Sequence, residues 1–195
     1  MGKGQLTRHA VLDQAARTAS EVGLRGVTIG SLADSMHMSK SGLFAHFGSK
    51  ESLQLATVRY ARDQFVNLVI RPALAAPRGE PRVRALFENW LEWDTRALPG
   101  GCLFVAAAVE FDDEPGAVRD ELVRNQIDLG ETIARVFRGG ITEGHFRHDA
   151  DPEQFAFQLH SILLGFHQHS RLLGDPLAAE RGRRALDALL DAARP

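Results

Sequence analysis

The stretch Ser39-Lys40-Ser41-Gly42-Leu43-Phe44-Ala45-His46-Phe47-Gly48-Ser49-Lys50 sorts its polar and apolar residues by helical spacing. Leu43 and Phe47, four residues apart, share one helix face and can anchor it to a core. Lys40, Ser41, Ala45 and, in part, Phe44 and His46 then look outward. Their chemistry suits the edges of DNA bases. Lys40 can donate to the O6 and N7 acceptors of guanine, the Ser41 hydroxyl can meet donors or acceptors, and Ala45 can touch a thymine methyl. Thr28, His46 and Lys50 fall at helix ends and outer faces, where phosphates are held and register is fixed without reading sequence.

Such a helix needs a partner to present it. Thr28-Ile29-Gly30-Ser31-Leu32-Ala33-Asp34-Ser35 reads as that partner, with the Thr28 hydroxyl at the N-cap satisfying a free backbone N–H. Met36-His37-Met38 leaves room only for a tight turn, and Ser39 caps the next helix at whose first turn Gly42 lies. Two short helices joined this way, the second facing solvent, describe a helix-turn-helix whose second helix enters the major groove. Charge agrees with this placement. Residues 1–62 carry eight Lys/Arg against four Asp/Glu, and the remainder fifteen against twenty-one, so a chain of net charge −2 concentrates its positive charge where phosphates would be met.

From about Thr7 to Tyr60 the chain resembles the DNA-binding domain of the TetR family of bacterial transcriptional regulators. The resemblance is carried by Val11-Leu12-Asp13-Gln14-Ala15-Ala16, the Gly23-Leu24 stop, the Thr28 to Ala33 helix, and Ser39-Lys40 through Phe47-Gly48-Ser49-Lys50-Glu51-Ser52-Leu53, in order and at the family's spacing. Two positions depart from it. Phe44 stands where the family commonly has tyrosine, so a phenolic hydroxyl often used on the DNA backbone is missing. Gly30 stands where a charged or polar residue is frequent.

The remaining sequence is helical in period throughout, without persistent strand alternation. A first helix is expected over Arg8–Val22 and a fourth from Ser49 to about Ile70. A linker is expected over Pro72–Gly79, where two prolines and a glycine break the pattern. Five further helices follow: Pro81 to Leu98; Cys102 to Phe111, apolar almost all round and so expected inside a bundle; Pro115 to Gly139-Gly140; Pro152 to Gly174, opened by Asp151-Pro152-Glu153-Gln154; and Asp175-Pro176 nearly to the end. With 44% hydrophobic and 25% charged residues this is an ordinary globular composition. The single cysteine, Cys102, excludes an internal disulfide and suits a reducing cytoplasm. Met1-Gly2-Lys3-Gly4-Gln5-Leu6-Thr7 lacks the apolar run of a signal peptide, and no apolar stretch is long enough to span a bilayer, so no membrane association is expected.

The expected fold is therefore all-α: an N-terminal three-helix helix-turn-helix domain over residues 5–65, followed by a C-terminal helical bundle over 80–195 for ligand binding and dimerisation. The DNA-binding set is Thr28, Ser39, Lys40, Ser41, Gly42, Phe44, Ala45, His46 and Lys50, on double-stranded operator DNA. The resemblance implies a repressor released by a small, largely apolar effector held between C-terminal helices. Trp90, Phe104 and Phe111 are expected as walls, with Glu110 as a polar anchor. It also implies a homodimer through the last two helices, by Leu159, Ile162, Leu163, Phe166, Leu186, Leu189 and Leu190, with Ser161 and Gly165 permitting close approach.

Other classes are poorly served. His160 and His167, or His145 and His148 with Asp149 and Asp151, lack the i, i+4 spacing of a specific zinc site, so neither metal nor other cofactor is expected. Glu110 lies in an apolar run without a nucleophile–base signature or phosphate-binding loop, so catalysis is not expected. Cys102 lacks an adjacent activating lysine or histidine, against a redox sensor. A helix-turn-helix serving recombination or DNA architecture is the alternative within DNA binding.

Overall fold

The computed structural model describes the backbone of residues 3–195 and the side chains of residues 8–195. What the sequence suggests for Met1 and Gly2 lies outside the described residues. Those residues form ten α-helices and no strand: α1 (Lys3–Val22), α2 (Ile29–Ser35), α3 (Lys40–Phe47), α4 (Lys50–Phe65), α5 (Arg71–Ala75), α6 (Glu80–Glu92), α7 (Leu103–Phe111), α8 (Ala117–Thr142), α9 (Pro152–Arg171) and α10 (Ala178–Ala193). A 3-10 turn, Leu24–Gly26, follows α1, and π-helical turns follow α4 (Val66–Ile70) and α6 (Trp93–Ala97). No helix among the described residues is long and apolar enough to cross a membrane.

Several expected helix limits change: α9 ends at Arg171 rather than Gly174, α10 begins at Ala178 rather than at Asp175-Pro176, and two others shift as follows. The first half of the linker expected over Pro72–Gly79 is helix, because the chain continues through the π turn and Pro72 to Ala75, leaving 76–79 as the connection. The reason is local: the Arg71 N–H bonds the carbonyl of Val66, five residues back, so the ladder has already slipped register where proline has no N–H to give. The helix expected to stop at Gly139-Gly140 runs on to Thr142.

The chain packs as two compact units. One comprises residues 1–64 and 96–124, the other 65–95 and 125–195. Residues 96–124, expected within the C-terminal domain, thus group with the N-terminal helices. In this first unit Val11, Ala15 and Ala19 of α1 recur at helical spacing and are buried with Leu24, Val27, Leu32, Leu43, Leu53 and Val58. Buried Thr57 turns its hydroxyl back onto the Leu53 carbonyl at 2.8 Å. α7 lies against α1 and the 3-10 turn. It buries Leu103, Phe104, Ala107 and Phe111 but leaves Val109 74% exposed, so the expected all-round burial of this helix is not realised.

In the second unit α6, α9 and α10 share a core of Phe87, Trp90, Leu159, Leu163, Phe166, Leu186 and Leu190. Ion pairs of Arg84 with Asp187 (2.7 Å) and Arg183 with Glu88 (2.7 Å) align α6 with α10. Phe137 stacks on Phe155 (4.0 Å between centroids) and on Phe146 (4.4 Å), seating α9 and the loop before it on α8. The imidazole of His167 meets buried Asp94 at 2.6 Å, and His145 Nδ1 accepts the Glu80 N–H that opens α6. These contacts give two of the C-terminal histidines structural tasks.

Candidate nucleic-acid interface

The α2–α3 pair is built by its caps. Thr28 Oγ1 accepts from the Ser31 N–H at 3.0 Å, and Ser31 Oγ accepts from the Thr28 N–H at 3.2 Å, a reciprocal box that fixes where α2 begins. Ser39 Oγ accepts from the Gly42 N–H at 3.1 Å and does the same for α3. His37, at φ 55°, makes the turn between them in a left-handed conformation. Gly48, at φ 73°, ends α3 with its N–H on the Phe44 carbonyl at 2.7 Å. Ser49 then caps α4 through the Ser52 N–H at 3.0 Å.

Within this frame Leu43 and Phe47 are buried, while Ser39, Lys40, Ser41, Phe44, Ala45, His46 and Lys50 are exposed; Thr28 and Gly42 are half-buried. Phe44 is 55% exposed, a large apolar ring turned to solvent beside two hydroxyls and an amine. The Lys40 stem reaches back over the start of α2, its Cε 3.8 Å from where a Cβ would stand on Gly30. A side chain at 30 would begin at ordinary contact distance from Lys40, so the space there does not itself demand the glycine that departs from the family pattern. His46 lies 6.3 Å from the Phe47 ring and remains exposed, free to face a phosphate.

The base of α3 is held from behind. The Arg8 guanidinium sits over the Phe47 ring at 5.1 Å. Buried Gln54 of α4 donates to the Leu24 carbonyl at 2.9 Å. Glu110 of α7 grips the turn that leads into α2: its carboxylate accepts from the backbone N–H of Leu24 (3.0 Å) and of Arg25 (2.8 Å). Arg25 answers by donating to the Glu110 carbonyl at 2.6 Å, pairing with Glu114, and lying over the Phe111 ring at 5.3 Å. Gly23 makes the grip possible, for at φ 83° it takes a backbone conformation closed to other residues, and a Cβ there would stand 2.3 Å from Glu110 Oε1. Arg25, Ser31 and Gln54 are thus supporting residues that motif reading missed. The spacing Thr28-x-x-Ser31 was the available signal for one of them; a carboxylate bound to backbone N–H groups leaves none.

The other expected site residues are placed differently from their forecast. Trp90 lies in the second unit, whereas Phe104, Glu110 and Phe111 lie in the first, so the structure gives no single unit holding all four. Glu110 is engaged at both oxygens and serves as a tie to the DNA-binding turn rather than a free anchor. Leu159, Leu163, Phe166, Leu186 and Leu190 are buried within their own chain and cannot form a surface; Ile162 and Leu189 are half-buried. The solvent face of α9 carries Phe157, Ser161, Leu164 and Gly165 instead, at i, i+4, i+7 and i+8, with Phe157 69% exposed.

The family description "Bacterial regulatory proteins, tetR family" matches residues 11–57, and "Tetracyclin repressor-like, C-terminal domain" matches residues 79–186. The HTH-type transcriptional repressor AcnR of Corynebacterium glutamicum is 24% identical over 160 residues, which cover 82% of this chain and 79% of AcnR. A TetR transcriptional regulator of Chloroflexus aurantiacus superposes with a TM-score of 0.87 at 26% identity, covering 98% of this chain and 96% of that one. A cysteine-substituted form of the TetR-family regulator CifR, solved on double-stranded operator DNA of 26 base pairs, superposes with a TM-score of 0.77 at 25% identity, covering 94% of each.

Proposed function

Because the chain belongs to the TetR family of bacterial transcriptional regulators, we propose that this DNA-binding regulator is a cytoplasmic repressor, a homodimer on a roughly palindromic operator, released by a small, largely apolar effector. The observation that carries the reading is α3: an eight-residue helix anchored by Leu43 and Phe47 that presents Lys40, Ser41, Phe44 and Ala45 to solvent. Lys40 and Ser41 read base edges and Ala45 a thymine methyl, with Phe44 beside them. Thr28, Ser39, Gly42, His46 and Lys50 hold phosphates at the helix starts and outer rims. That CifR was solved on operator DNA, and that AcnR is a repressor, supports the same role here.

One such helix reads too few bases to be selective in a genome, and a two-fold dimer doubles the readout with α3 helices about 34 Å apart. The apolar outer face of α9, around Phe157 and Leu164, takes the place of the buried stripe as the dimer surface. Ser161 and Gly165, one turn apart on it, allow close approach of a second α9. The effector binds among the C-terminal helices and weakens DNA binding by its differential affinity for a form with differently spaced α3 helices. The grip of Glu110 on the Leu24–Arg25 turn supplies a rigid hold on the DNA-binding helices from α7.

The test is selection of an operator from random-sequence DNA with the full-length protein, followed by footprinting. A two-fold symmetric site with half-sites about one DNA turn apart is expected. Protection without symmetry, or no sequence preference at all, would overturn the reading.

A further inference from the structure

α8 passes from the first compact unit to the second between Arg124 and Asn125. On the first side, buried Glu121 accepts from Arg59 of α4 at 3.0 Å and from Arg124 at 2.9 Å. Burial alone would raise its pKa, but the two guanidinium groups hold it below the ordinary carboxylate value. On the second side the helix turns polar atoms inward and leaves them unanswered. Oδ1 and Nδ2 of Asn125 and Oε1 of Gln126 are shut off from solvent and meet no hydrogen-bond partner. Interior amides are almost always paired, since an unpaired one forfeits its bonds to water for nothing. Half-buried Leu129 and buried Ile133 follow Asn125 one and two turns further on, so the stripe that continues from it along the helix is apolar.

We propose that Asn125 and Gln126 form the polar end of the effector site, and that the effector is a neutral, mainly apolar molecule whose polar group both donates and accepts hydrogen bonds, as a carboxamide or lactam does. The proposal rests on the effector-released reading above and gives that effector its chemistry. Neutrality follows from the groups present. The two amides offer donors and acceptors and carry no charge, and buried Glu121, one turn before Asn125 on α8, is already engaged by Arg59 and Arg124. An ionic ligand would be buried against dipoles alone, at high desolvation cost. Regulation follows from the closure: the amides are sealed in this form, so a ligand reaches them only where α8 has shifted, and its binding favours the shifted form. The turn of α8 just before the site is the one that holds Arg59 of α4.

Benzamide, benzoate and toluene share a ring and differ in polar group, which makes them suitable probes. Each is titrated into the full-length protein, with binding read calorimetrically and operator binding by gel shift. Benzamide is expected to bind about tenfold tighter than the other two. Asn125→Leu and Gln126→Met are each expected to erase that preference and to raise the melting temperature of the unliganded protein, because an orphaned amide is gone. Equal binding of the three probes, no binding of benzamide, a preference retained by both variants, or a melting temperature raised by neither overturns the site. Benzamide binding that needs both amides yet leaves operator affinity unchanged upholds the site and removes the effector reading. Operator release by benzamide that both variants retain preserves the effector reading and overturns the site.

Discussion

α3 and α9 both pair an apolar stripe with an outer face, yet they part company in what that outer face contains. α3 has one apolar pair at one-turn spacing, Leu43 and Phe47, and once these are inside, the orientation of Lys40, Ser41, Phe44 and Ala45 is fixed. α9 has apolar residues on two sides: Leu159, Leu163 and Phe166 meet α6 and α10, while Phe157 and Leu164 are left outside. A helix with one stripe declares its own core. A helix with two does not, and here the continuous stripe goes to the chain's own core, in register with α6 and α10, which leaves Phe157 and Leu164 for the proposed dimer surface.

The division is tested most severely by neighbouring leucines. Leu163 is 1% exposed and Leu164 40% exposed. Leu163→Asp places a charge in the core and is expected to cost about 4 kcal/mol, enough to unfold much of the second unit. Leu164→Asp is expected to leave the circular dichroism of the chain intact while sedimentation shows monomers and operator binding falls by about a hundredfold or more. If Leu163→Asp gave folded monomers and Leu164→Asp folded dimers, the two faces would have to be exchanged.

A second contrast lies within the first unit, between the untied outer face of α3 and the tied turn behind it. Glu110→Ala strips two backbone N–H groups of their acceptor and is expected to cost about 1–2 kcal/mol in thermal unfolding. Glu110→Gln retains one acceptor oxygen and should lose about half of that. Both should weaken operator binding although Glu110 is not among the proposed DNA contacts. Operator affinity unaffected by Glu110→Ala would show that the tie stabilises the unit without orienting α2 and α3.

On the α3 face itself, effects move to binding alone. Lys40→Ala is expected to weaken operator binding about tenfold to a hundredfold and random DNA much less, because a base contact is lost. Lys50→Ala should weaken both alike and reduce the salt dependence by about one counterion. Melting temperatures should not move for either. Gel shifts across a salt series measure all of this, and parental behaviour in both variants would displace α3 from the groove.

How far the sequence could be read follows the same physics. The helix-turn-helix was legible because caps, turn and anchors are local: Thr28, Ser39, Leu43 and Phe47 act within a few residues of where they stand. Asp151 was legible for the same reason, and its carboxylate accepts from the N–H groups of Glu153 and Gln154. Glu110 was misjudged because its partners lie 86 and 85 residues away and are backbone groups without side-chain identity. The linker over Pro72–Gly79 was misjudged because a π turn, which depends on backbone register, makes proline acceptable. The stripes of α9 were confused because periodicity reports that a face is apolar and not which neighbour covers it.

The smallest expected effect belongs to an interior contact on neither side of the comparison, and it checks the scaffold behind α3. Tyr60, the sole tyrosine, donates its hydroxyl to Asp13 Oδ1 of α1 at 3.0 Å, and its ring meets His9 edge-on at 5.1 Å. Burial first, then the hydrogen bond to Asp13 and the charge of its carboxylate, push the phenol from 10.0 to about 12, with Arg17 opposing in part. The neutral phenol is the form the fold favours. Its contribution is therefore complete below pH 10 and is lost as pH rises from there through about 12. Because one phenol absorbs, near-ultraviolet titration of the folded protein reads it without assignment. The midpoint should fall toward 10 in Asp13→Asn and rise further in Arg17→Ala, which removes the opposing charge. A parental midpoint near 10 would mean that α4 does not rest on α1 at Tyr60, and the support on which the orientation of α3 depends would have to be sought elsewhere in the unit.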